Sequence, residues 1–207
     1  MFNFMKFNKP LDDILGQKSK IKILRYLVNY KKEMGVRELA KEIGLVPANA
    51  SVALKELEKE GILLKKKIGR SLIFSLNAGN FLAAALVVPL FEKEHKIKRE
   101  LFKIISSRVK FPYETIVLFG SVAKKSERAD SDIDLAVIIG DKDRVTEVEE
   151  RILSINPEIS EKFGNSIAPI VFKKKDFIKK IKGGDVLASN IARDGEVVSG
   201  KLISELL

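Results

Sequence analysis

Asp132 and Asp134 are two carboxylates with one isoleucine between them, at the start of the apolar run SDIDLAVII, residues 131–139. On a strand, side chains at i and i+2 share a face, roughly 6–7 Å apart. Paired hard oxygens so placed suit Mg²⁺, which takes one or two protein carboxylates and completes its shell with water and phosphate. Ten residues upstream a second apolar run, Ile116 to Phe119, is broken by Gly120-Ser121. Glycine lets backbone approach a ligand closely, and the amides of Ser121 and Val122 would open a helical turn that favours an anion. A metal side and a phosphate side facing each other is a layout for nucleoside triphosphate chemistry.

The elements that position these groups are two buried strands joined by a polar spacer, spanning residues 115–139. Gly120-Ser121, a spacer, then Ser131-Asp132-Ile133-Asp134-Leu135 resembles the nucleotidyltransferase superfamily related to DNA polymerase β, in its minimal nucleotidyltransferase branch. The resemblance implies that Gly120, Ser121, Lys124 and Ser131 bind the nucleotide. It implies that Asp132 and Asp134 are the catalytic, metal-holding acids, with Mg²⁺ arriving with the NTP. It also implies a third carboxylate on the strand after the next helix. That strand is NSIAPIVF, residues 165–172, and has no acid; by alternation the position falls at about Ala168 or Pro169. Where relatives often carry arginine then glycine, this chain has Lys124-Lys125, and lysine serves phosphate as a point charge without bidentate geometry.

The chain has 207 residues, enough for one large or two small domains. Its 38 Lys and Arg against 28 Asp and Glu leave a net charge of +10, which points to a polyanionic partner. Cysteine is absent, which excludes disulfides and thiolate metal sites and fits a reducing cytoplasm. No signal peptide and no membrane-length apolar run is evident. His95, the single histidine, lies in a charged helical stretch, so a surface position is expected and no His-based general base or zinc site can be built.

Residues 1–10 read as a mixed apolar and basic lead-in. Apolar spacing then predicts a helix over 18–29, a break at Met34-Gly35, a helix over 36–43 closed by Gly44, and a third from Pro47 to about Glu60. Two strands follow around a basic tip containing Gly69. Three helices and a hairpin in this order resemble a winged helix-turn-helix. That resemblance implies binding of double-stranded DNA, with Asn49, Ser51, Val52 and Lys55 of the third helix at base edges and Lys65, Lys66, Lys67 and Arg70 on phosphates. Val46 and Val52 stand where many relatives carry polar contacts, so base readout would be modest.

Residues 81–91 are almost wholly apolar and are expected to be buried, against a second copy of the chain or against the winged domain. Residues 92–110 read as an amphipathic helix with Leu101, Ile104 and Ile105 on one side. Further on, helices are expected at 145–153, 176–182 and 186–191, with strands at 167–172 and 196–198.

The expectation is an α+β protein: a winged helix-turn-helix at 11–78, a helical connector and dimer element at 79–110, and a nucleotidyltransferase-like mixed sheet with helices at 111–207. The leading function is Mg²⁺-dependent transfer from an NTP to a hydroxyl acceptor, with pyrophosphate released, in a cytoplasmic DNA-binding homodimer. The acceptor could be a protein side chain of the toxin type, a small molecule or RNA. The alternative is a DNA-binding transcriptional regulator whose second domain binds nucleotide or dimerises without catalysis, because the third carboxylate is absent.

Overall fold

The computed structural model describes residues 7–207. The lead-in read at 1–10 therefore lies partly outside the described residues. The chain divides into two units, one ending at Ile97 and one running from Lys98 to Leu207.

In the first unit α1 (Pro10–Leu15), α2 (Lys18–Tyr30), α3 (Val36–Glu42) and α4 (Pro47–Lys59) precede a hairpin of β2 (Leu63–Ile68) and β3 (Ser71–Leu76). Each helix turns one apolar stripe inward: Ile23, Leu24, Leu27 and Val28 of α2, Leu39 and Ala40 of α3, and Ala50, Ala53, Leu54 and Leu57 of α4 are all buried. A fully buried leucine or isoleucine of this kind contributes about 1.5–3 kcal/mol. Lys20 is buried yet satisfied. Its Nζ donates to the Asp13 carbonyl at 2.6 Å and pairs with Glu56 Oε2 at 2.7 Å, which ties α1, α2 and α4 together.

Two segments show more than their spacing did. Met34-Gly35 breaks the helical run as expected, and does so as a two-residue strand, β1 (Met34–Gly35), paired antiparallel with Phe74 and Ile73 of β3. The segment 81–91 is only half buried. Leu82, Ala83, Val87 and Phe91 join the core of the winged unit, while Phe81, Leu86 and Leu90 are 69%, 42% and 48% exposed. A helix cannot turn all its faces to one neighbour, so a uniformly apolar run splits into an inner and an outer stripe. The run begins with a π-helical stretch, Ala83–Val87, and continues as α5 (Val88–Arg108).

The second unit holds β4 (Thr115–Leu118), α6 (Gly120–Ala123), β5 (Ile133–Ile139), α7 (Val145–Leu153), α8 (Asn156–Phe163), β6 (Ile167–Lys173), α9 (Lys174–Lys182), α10 (Val186–Asp194) and β7 (Glu196–Gly200). The sheet order is β6-β5-β4-β7. β5 is parallel to β6 and antiparallel to β4, which is antiparallel to β7. One face packs Ile133, Leu135, Val137 and Ile139 against Leu101, Ile105, Val148, Ile152 and Ile159. The other packs Ala136, Ile138 and Val117 against Phe177, Ala188 and Ile191 of α9 and α10. Burial on both faces is why β5 reads as an unbroken apolar run. Among the described residues, no helix is long and apolar enough to cross a membrane.

Candidate functional site

Alternation along β5 assigns Asp134 to the face of Ala136 and Ile138, the side covered further along by α9 and α10. Its start is stapled to the end of β4: Leu118 pairs with Leu135, and the Phe119 amide donates to the Asp134 carbonyl at 3.0 Å. The chain then turns at Gly120, with φ +71°, into the single helical turn α6. A Cβ at Gly120 would collide with Asp134 Oδ2 and lie 2.8 Å from its Cγ. Only glycine satisfies both the left-handed backbone and this contact. The Gly-Ser corner and the second aspartate therefore touch.

Asp132 immediately precedes β5 and is exposed, whereas Asp134 is half-buried. Burial, and then the negative charge of Asp132, push the Asp134 carboxyl above its ordinary range. A half-buried carboxyl held beside a second carboxylate has the chemistry of a cation site, because a divalent ion removes the repulsion. Hard oxygens on an open sheet end fit one Mg²⁺ shared with phosphates. Among the described residues, no three His, Cys, Asp or Glu gather closely enough to hold a metal by themselves. The register shows why: Asp134 pairs with Ala168 and Leu135 with Pro169. Of the two positions named for the third carboxylate, Ala168 is thus the one level with Asp134 and on its face.

The other residues expected at a nucleotide lie around the same corner and its spacer. Ser121 opens α6 beside Gly120 and is half-buried. Lys124, half exposed, stands at the end of that turn with Nζ 3.7 Å from Asp194 Oδ2. Ser131 closes the spacer, its Oγ accepting from the Arg128 amide at 2.9 Å. Asn165 clamps the same loop, donating to the carbonyls of Ala129 at 3.0 Å and Ser131 at 2.9 Å.

Sequence reasoning missed the wall that faces α6. Arg193 donates to both carboxylate oxygens of Asp194 and to Asn190 Oδ1, each at 2.8 Å. The guanidinium, with a smaller part from Lys124, holds the Asp194 carboxyl below the ordinary range. Only the sequence Asn-x-x-Arg-Asp at a helix end hints at this cluster, and that pattern alone identifies nothing.

In the winged unit, Asn49, Val52 and Lys55 share the exposed side of α4, and Ser51 is half-buried. Lys65, Lys66, Lys67 and Arg70 are exposed along the hairpin, with Lys65 Nζ 3.1 Å from Glu58 Oε1. Val46 and Val52 are exposed apolar side chains.

Known proteins agree with this architecture. Residues 100–201 match the family model described as polymerase beta, nucleotidyltransferase, and residues 17–63 the one described as winged helix-turn-helix DNA-binding. A Methanocaldococcus jannaschii protein, provisionally named a protein adenylyltransferase, is 30% identical over 79 residues, spanning 38% of this chain and 79% of that protein. The chain belongs to the polymerase β nucleotidyltransferase family, and a winged helix-turn-helix domain precedes its family domain. Among solved structures, reduced HlyU from Vibrio cholerae is 21% identical with a TM-score of 0.35, over 42% of this chain and 83% of that one. A chain from a toxin-antitoxin structure with AMP-PNP is 15% identical with a TM-score of 0.36, over 53% and 77%.

Proposed function

We propose that the protein is a Mg²⁺-dependent nucleotidyltransferase tethered to DNA by its winged domain. The observation that supports this most is the contact of Gly120 with the Asp134 carboxylate, which sets the Gly-Ser corner against one of the two acids. Asp132 and Asp134 would hold the ion, and when bound it neutralises charge across the phosphates. Gly120 keeps the corner clear of side chain. The amides of Ser121 and Val122 would donate to the phosphates, and Lys124 would add a positive charge. An acceptor hydroxyl oxygen bonds to the α-phosphorus, the bond from that phosphorus to the β-phosphate oxygen breaks, and pyrophosphate leaves. The hydroxyl proton passes to water at this open sheet end.

The acceptor we favour is a protein hydroxyl, in line with the name of the archaeal relative. The exposed side of α4 and the lysines of the hairpin would engage double-stranded DNA in the cytoplasm. The outer stripe of Leu86, Leu90 and Ile97 would meet the same stripe of a second copy.

One observation favours a second reading. Ala168 occupies the strand position level with Asp134 where the family resemblance implies an acid. In that reading the domain binds Mg-nucleotide as a sensor for a DNA-bound regulator, without turnover. Incubation with Mg²⁺ and α-labelled NTPs separates the two. Label on an acceptor with wild type, and none with the Asp132→Asn/Asp134→Asn double variant, supports the transferase. Mg²⁺-dependent binding without label on any acceptor supports the sensor. Absence of Mg²⁺-dependent nucleotide binding overturns both.

A further inference from the structure

A small pocket of about 170 Å³ opens beside the Gly-Ser corner, lined by Phe119, Gly120, Ala123 and Lys124 on one side and by Leu187, Asn190 and Asp194 of α10 on the other. Gly120 is common to this pocket and to the Asp134 contact. The pocket therefore adjoins the place where the triphosphate would lie. Its walls are mostly apolar, with Asn190 and Asp194 as the polar side chains on the α10 side and Lys124 opposite.

Those polar groups are arranged by Arg193. Its guanidinium donates to both Asp194 oxygens and to Asn190 Oδ1. With Oδ1 taken as acceptor, the Asn190 Nδ2 group is left to donate elsewhere, and each carboxylate oxygen of Asp194 retains accepting capacity. One wall thus presents a donor and a charged acceptor within one turn of helix. A hydroxyl both donates and accepts, so a vicinal diol matches such a pair. The group directly joined to the α-phosphate of a nucleotide is the ribose, which carries that diol; the base lies further out.

We propose that Asn190 and Asp194, aligned by Arg193, form a sugar site that selects ribonucleotides over 2′-deoxyribonucleotides. The proposal rests on the nucleotide-binding reading above. The Asp194 carboxylate accepts from the 2′-hydroxyl and Asn190 Nδ2 donates to a hydroxyl of the same diol. Lys124, paired with Asp194 at 3.7 Å, would exchange that ion pair for the phosphates when nucleotide binds.

The test is a titration of the full-length chain with Mg-ATP, Mg-2′-deoxyATP and Mg-GTP, for wild type, Asp194→Asn and Asn190→Ala. Wild type is expected to bind ATP about tenfold or more tightly than 2′-deoxyATP, the worth of a hydrogen bond to a charged group. Both variants are expected to bring that ratio near one. A purely structural role would weaken both nucleotides equally and leave the ratio intact, which would overturn the proposal. Equal binding of ATP and 2′-deoxyATP by wild type would overturn it while leaving the nucleotide site standing. So would a change in the ATP-to-GTP ratio in the variants without a change in the ribose-to-deoxyribose ratio, because that outcome makes the pocket a base site. No binding of any nucleotide by wild type overturns this proposal and the nucleotide reading together.

Discussion

Ala168 stands level with Asp134 on the neighbouring parallel strand, and both belong to the same face of the sheet. In-register neighbours across a sheet are about 4.8 Å apart. Ala168 is half-buried at the edge strand β6, so a longer side chain there can reach open space. The substitution Ala168→Asp is therefore expected to add a third carboxylate to the acidic pair. Mg²⁺ or Mn²⁺ affinity should rise about tenfold or more, measured by titration with the metal alone and with nucleotide. If the native chain is limited by the missing acid, labelling of the acceptor should rise with it. No change in metal affinity would show that position 168 does not face the acids.

Gly120 is open to a sharp test, because it combines a φ of +71° with contact to Asp134. Gly120→Ala is expected to cost about 1–2 kcal/mol from the left-handed backbone alone. It should also drive the Asp134 carboxylate from its position and abolish Mg²⁺-dependent nucleotide binding. Thermal melting reads the first effect and nucleotide titration the second. Gly44 has φ +63° with nothing within 4 Å of an added Cβ, so Gly44→Ala is the control that carries the backbone cost without touching nucleotide.

For the winged unit the quantity to measure is a slope. Each phosphate neutralised contributes about 0.9 to the dependence of log affinity on log salt. Lys65→Ala/Lys67→Ala should weaken DNA binding with little regard to sequence and reduce the slope by about 2. Asn49→Ala should instead reduce discrimination between sites and leave the slope alone, since base contacts release few counterions. An unchanged slope in the lysine variant would take the hairpin off the DNA.

The parts legible in the sequence were those with a local cause. The Gly-Ser corner, the acidic pair and the helices of the winged unit follow from spacing and from residues with few alternatives, such as Gly120 or Pro47. What stayed hidden depends on distant partners. Met34-Gly35 is a strand only because β3 pairs with it. The helix α8 has a single buried residue, Ile159, too little apolar repetition to register in a window. The run 81–91 gives no contrast between its faces, so its outer stripe could not be separated from its inner one. The Asn190 and Asp194 wall exists only because α10 folds back beside α6.

Acid should loosen the second unit through Glu158. Its carboxylate accepts from Arg108 Nε at 2.6 Å and Lys162 Nζ at 2.8 Å, and these bonds lower its pKa from 4.5 to about 2. The folded-state pKa lies below the unfolded one, so the stabilisation is complete above pH about 4.5 and lost as pH falls through about 2. The carboxylate lies at the surface, only partly covered, so screening keeps the effect modest. Melting temperatures of wild type and Glu158→Gln should differ most near neutral pH and converge as pH falls towards about 2. A constant gap across that window would mean that the ion pairs do not contribute.

Leu86, Leu90 and Ile97 are exposed at 42%, 48% and 54% and recur at i, i+4 and i+11, so they form one stripe along the helical run. A stripe on a single helix is self-complementary: two copies related by a two-fold axis bury the same residues on each side. The spacing continues the i, i+4, i+7 repeat of helix pairs, with Lys93 at the remaining position. Leu90→Glu then introduces a like charge from both copies near the centre of the contact, where desolvation makes it most costly. Light scattering coupled to gel filtration should show a dimer for wild type and a monomer for Leu90→Glu, while the melting temperature of the variant at high dilution stays close to wild type. Because Leu90 projects away from the core residues Val87 and Phe91, the substitution should leave the winged unit folded. A wild-type monomer at tens of micromolar would remove the dimer from the functional picture and leave each winged unit to bind DNA alone.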